Sequence, residues 1–78
     1  MEESKYFVVR PIINGFEAIL LMYGQETDIK KYIEFVLATN CTYSAINKDF
    51  ARNLFDIGFK VYMCPEIGKV KTDIEENN

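Results

Sequence analysis

The sequence predicts an α+β domain in which a three-stranded, antiparallel-type sheet carries two helices on one face, in the order ββααβ. Three observations predict this class. An Asn-Gly pair separates two apolar, extended segments, two later segments repeat apolar residues at helical spacing, and a closing segment alternates apolar with polar residues. The chain has 78 residues, 49% of them hydrophobic, with no linker or repeat, so residues 1–78 are expected to form a single domain.

The N-terminal hairpin is predicted from its turn. Asn14 and Gly15 both tolerate positive φ, as a type I′ turn requires, and they join residues 5–13 to residues 16–23. A two-residue turn also sets the register, with the pairs Ile13–Phe16, Pro11–Ala18, Val9–Leu20 and Phe7–Met22 on the face expected to meet the core. A short helix over residues 16–24 is the alternative, because alanine, leucine and methionine favour helices.

Two consecutive helices are predicted in the middle of the chain. The first has Thr27 as its N-cap and ends at Asn40 and Cys41, with its apolar stripe at Ile29, Ile33, Val36 and Leu37. The second starts near Thr42 or Ser44, and its apolar residues recur every three or four positions, at Tyr43, Ile46, Phe50, Leu54 and Ile57. Gly58 is placed to end this helix in the left-handed region.

The third strand is predicted after Gly58, where Phe59, Val61 and Met63 alternate with more polar residues. Pro65 and Gly68 interrupt this pattern. Residues 69–78 are mostly polar and acidic, and we expect them to form a flexible tail.

Catalytic and metal-binding chemistry is not predicted. The chain has no histidine, the usual general base and commonest metal ligand, and its two cysteines, Cys41 and Cys64, lack a metal-ligand spacing. Its glycines form no phosphate-binding loop. The paired carboxylates, Glu26 with Asp28 and Asp49 with Asp56, suit a helix start and surface ion pairs. We therefore expect a protein that is not an enzyme and takes no cofactor, metal or small-molecule ligand.

The expected location is the cytoplasm. No basic segment precedes an apolar stretch at the N-terminus, and no apolar run approaches the length of a membrane span. Two isolated cysteines are also typical of a reducing compartment.

The leading functional prediction is a protein-binding module that acts as an inhibitor, adaptor or self-associating accessory protein. Its composition is typical of small phage or mobile-element proteins. If both helices lie on one face, the other face of the hairpin is left uncovered, and this face is rich in apolar and tyrosine side chains. Its predicted interface residues are Tyr6, Val8, Arg10, Ile19, Leu21 and Tyr23. A two-fold homodimer is the simplest way to cover them.

A winged helix-turn-helix regulator that binds nucleic acid is the alternative function. Two helices joined by a short break, followed by an extended segment, are typical of this motif. The residues expected to face nucleic acid are Ser44, Asn47, Lys48, Arg52 and Lys60. Asp49 and Asp56 on the same helix weaken the electrostatic argument for this function.

Overall fold

The computed structural model describes residues 2–66 and 68–74. These residues form an α+β fold with a mixed six-stranded sheet. The strands are β1 (Lys5–Ile13), β2 (Phe16–Glu17), β3 (Leu20–Gly24), β4 (Cys41–Ile46), β5 (Val61–Met63) and β6 (Val70–Lys71). The helices are α1 (Glu26–Tyr32), which continues as a π-helical segment (Ile33–Leu37), and α2 (Lys48–Asp56).

The N-terminal hairpin and its register are confirmed. Asn14 and Gly15 have φ values of 53° and 80°, and Ile13 pairs with Phe16 as the two-residue turn requires. The same register continues through Val9–Leu20 and Phe7–Met22. The return strand is interrupted between β2 and β3, opposite Pro11. Proline has no N–H to complete the ladder there, although Ala18 still donates to its carbonyl oxygen at 2.9 Å.

The sheet has more strands than predicted. Its order is β4-β1-β3-β5-β6, with β2 continuing the line of β3, so the predicted three-stranded sheet and the ββααβ order are wrong. β4 is antiparallel to β1, whereas β5 is parallel to β3. The segments containing α1 and α2 are both crossover connections, because each joins strands that are not neighbours in the sheet.

The two helices lie on opposite faces of the sheet, and the prediction of one shared face is wrong. Phe7 and Met22 pack with Ile29 of α1. Tyr6 and Leu21, which point to the other face because side chains alternate along a strand, pack with Ala51 of α2. Each face of the central hairpin therefore has its own hydrophobic core.

The predicted second helix begins too early, because residues 41–46 form β4. Tyr43 and Ile46 are three residues apart, which suits a helix, but in the strand they point to opposite faces and join different cores. The helix starts only after Asn47, whose side-chain oxygen accepts a hydrogen bond from the Phe50 N–H at 2.8 Å. This N-cap is the boundary signal in the sequence. Gly58 ends α2 with a φ of 113°, as expected.

Residues 69–74, the described part of the predicted tail, contact the rest of the fold. β6 pairs with β5, with Val61 opposite Lys71, and Ile74 is 4% exposed in the core under α2. The sequence pattern after Lys69 is polar, but one strand pairing and one buried isoleucine are enough to dock it. The rest of the predicted tail, residues 75–78, lies outside the described residues.

The start of α1 is capped by a residue from outside the helix. Gln25 is the N-cap position and makes no side-chain cap, so the predicted N-cap at Thr27 is wrong. Glu2 instead accepts hydrogen bonds from the Thr27 N–H at 3.2 Å and from the Thr27 hydroxyl at 2.9 Å. The bond from the Thr27 hydroxyl holds the pKa of the Glu2 carboxyl below its ordinary value. This contact ties the N-terminal segment to α1.

Replacing Glu2 by glutamine should lower stability at neutral pH, and this difference from wild type should shrink in acid. A lowered pKa in the folded state means that the carboxylate stabilises fully above the ordinary pKa of glutamate, and that this contribution is lost as the pH falls through the lowered value. Urea midpoints of wild type, Glu2→Gln and the charge-matched control Glu3→Gln, measured at neutral and acidic pH, test this. Equal midpoints for the two variants at neutral pH would contradict it.

Candidate interaction site

The predicted interface face is largely covered within the chain. Tyr6 is 7% exposed and Leu21 is fully buried beneath α2, and Tyr23 is partly buried in the same core. The expectation that this face lacks an intrachain cover is therefore wrong at these positions. Of the other predicted interface residues, Val8 is half-buried, whereas Arg10 and Ile19 are exposed.

The hairpin end remains exposed beyond α2. Arg10 lies 3.5 Å from the Glu17 carboxylate and 3.4 Å from the Thr42 hydroxyl, across the neighbouring strands on either side. The exposed apolar residues at this end of the hairpin are Ile12, Ile13, Phe16 and Ile19, and Phe16 is 77% exposed. The predicted core face is thus exposed at its Ile13–Phe16 end.

The residues predicted for nucleic-acid binding do not form a helix-turn-helix. Ser44 is in β4, Asn47 caps α2, and Lys48 and Arg52 are within α2. Lys60 precedes β5. A helix-turn-helix needs two helices joined by a short turn. Here the strand β4 lies between α1 and α2 in the chain, so residues 2–66 and 68–74 contain no such motif.

One side of β4 is paired and the other is open. β4 pairs with β1 along all six of its residues, and the sheet has no further strand beyond it among the described residues. The Ile12 N–H donates to the Asn40 carbonyl at 2.9 Å, so Ile12 and Asn40, just before β4 begins, form a hydrogen-bonded pair. Along an antiparallel ladder, hydrogen-bonded pairs alternate with pairs whose backbone N–H and C=O groups point away from the neighbouring strand. The backbone groups of Cys41, Tyr43 and Ala45 therefore point away from β1.

The open edge of β4 lacks the features that normally prevent edge-to-edge pairing. Its residues, Cys41–Ile46, include no proline and no charged side chain. The opposite edge, β6, is only two residues long and carries Lys71. The sheet therefore has one edge that is long and uncharged, and one that is short and charged.

Tyr43 anchors this edge to the rest of the fold. Its hydroxyl donates to the Glu26 carboxylate at 2.9 Å, and its ring lies 6.0 Å from that of Phe7, centroid to centroid. Partial burial and the Glu26 carboxylate raise the pKa of the Tyr43 hydroxyl, so it stays protonated at neutral pH. β4 is thus held to α1 as well as to β1, and its outer backbone groups have a defined position.

The cysteines are the candidate nucleophiles that the structure describes, and both are at least partly buried. Burial raises the pKa of both thiols, so Cys41 and Cys64 are protonated at neutral pH and are poor nucleophiles. No group of three or more cysteine, aspartate and glutamate side chains is placed to hold a metal ion among residues 2–66 and 68–74. No helix in those same residues has both the length and the apolar character needed to cross a membrane.

No family model matches the chain, and no curated protein or solved structure is significantly similar to it.

Proposed function

We propose that this protein is a small, non-catalytic protein-binding module that associates with a second copy of itself through the open edge of β4. The single observation that carries this proposal is the uncharged edge Cys41–Ile46, with one side paired to β1 and the other side open. Strand addition at such an edge supplies main-chain hydrogen bonds without requiring a preformed pocket.

The second copy is the proposed partner because β4 is complementary to itself. An antiparallel two-fold pairing centred on Tyr43 places Cys41 opposite Ala45 of the other copy. All these residues have outward-pointing backbone groups, so each pair exchanges N–H···O=C bonds. The Thr42 and Ser44 side chains, both exposed, then face one another on the other side of the sheet. β4 itself contains no charged side chain, so no like charges of the paired strands oppose one another, and an isologous interface closes at two copies.

Proline at position 45 tests this proposal. The N–H of Ala45 points outward and its side chain is exposed, so Ala45→Pro removes an edge donor while the β1 ladder remains intact. We expect light scattering to show a dimer for wild type at high concentration and a monomer for Ala45→Pro. The proline monomer should unfold with a free energy within about 1 kcal/mol of the wild-type monomer.

Ala45→Thr is the matched control, since threonine keeps the N–H and favours strands, and it should remain dimeric. Wild type that stays monomeric at every concentration, or a folded Ala45→Pro variant that stays dimeric, would contradict self-association through β4.

A further inference from the structure

A lysine-lined cleft lies at one end of the sheet, where β1 begins and where β3 and β4 end. Its volume is about 340 Å³, and its lining residues are Glu3, Ser4, Lys5, Tyr6, Tyr23, Ile46, Lys48 and Lys71. Lys5 is the first residue of β1, Lys48 the first of α2, and Lys71 the last of β6. Five elements, β1, β3, β4, α2 and β6, therefore contribute to one concave surface.

The cleft lining has an excess of positive side chains among the described residues. It carries three lysines and one glutamate, whereas the whole chain has a formal net charge of −3. The cleft also adjoins the first turn of α2, where the helix dipole is positive. An anion in the cleft would therefore meet favourable charge from several directions.

Two of the lining groups are held in place. The Lys71 ammonium lies 5.1 Å from the centroid of the Tyr23 ring, a cation–π distance. The Tyr23 ring in turn packs on Tyr6, with centroids 4.6 Å apart. Such restraint lowers the entropy that is lost when Lys71 binds a ligand.

We infer that this cleft binds the phosphate group of a small anionic ligand. Lysine ammonium groups are common phosphate ligands, and those of Lys5 and Lys71 can each meet an oxygen of a phosphate ester or a diphosphate. The volume is at the lower end of the range for small-molecule sites, so it suits a compact ligand. The sequence predicts no small-molecule ligand, because it contains no phosphate-binding loop. These lysines are distant in the chain, and only the fold brings them together.

Titration with inorganic pyrophosphate tests this inference by amide chemical shifts. We expect saturable shifts at Ser4, Lys5, Tyr23 and Lys71, weakening as salt is added. Lys5→Gln and Lys71→Gln should each raise Kd by about two- to fivefold, as for a partly exposed charge pair. Lys60→Gln is the control, because this exposed lysine is not part of the cleft lining, and it should leave Kd unchanged.

The absence of saturable shifts in folded wild type would overturn the inference. An equal rise in Kd for Lys60→Gln and the two cleft variants would also overturn it, because it would show non-specific charge attraction. The cleft does not involve the outward-facing backbone of β4, so its result is independent of the dimer proposal.

Discussion

Replacing Leu21 by lysine should unfold the protein at room temperature. Leu21 is fully buried in the hydrophobic core that contains Tyr6, Val61 and Ala51. Truncating such a leucine costs about 2–5 kcal/mol, and lysine adds the penalty of removing an ammonium group from water. A domain of this length has a total stability of only about 4–12 kcal/mol, so the loss is comparable with the whole. Circular dichroism and urea titration measure it.

Ile19→Lys is the matched control for this prediction. Ile19 precedes Leu21 by two residues and points to the same face, but it is 48% exposed at the hairpin end, outside the cover of α2. We expect this variant to fold, with a change in the free energy of unfolding below about 1 kcal/mol. A Leu21→Lys protein as stable as Ile19→Lys would show that α2 does not cover this face.

Replacing Gly24 by alanine should destabilise the protein by about 1–3 kcal/mol, the usual cost of overpacking. A Cβ atom at position 24 would collide with the backbone carbonyl oxygen of Cys64. The segment cannot simply withdraw, because the Cys64 N–H donates to the Tyr23 carbonyl at 2.9 Å and Cys64 is itself buried. The melting temperature should fall by roughly 4–8 °C for each kcal/mol lost.

Ser44→Thr is the control for Gly24→Ala, since it adds one methyl group at an exposed strand position. It should change the melting temperature little. A Gly24→Ala protein that melts with wild type would mean that the Cys64 carbonyl does not lie against β3.

The interaction surface that we propose is a sheet edge, whereas the sequence predicted a sheet face. The predicted interface face was rich in apolar residues because it carries a second core, which α2 covers. An apolar strand face has the same composition whether it meets a helix of its own chain or another protein. Tyr6 and Leu21 are buried and Val8 and Tyr23 are partly buried, so little of that predicted interface is accessible. The proposal therefore rests on the unpaired outer backbone groups of β4.

Local chemistry in the sequence determined the parts of the fold whose signals lie within a few residues of each other. The Asn14-Gly15 turn set the hairpin and its register, and Gly58 marked the end of α2. Tertiary structure alone decided the rest. Residues 41–46 fit both helical and strand periodicity because the segment is so short. Pairing with β1, about 30 to 40 positions earlier in the chain, selected the strand. The pairings of β4 with β1 and of β5 with β3 also decide the side of the sheet on which each helix lies. They fix the positions of the two strands that each helical segment must connect.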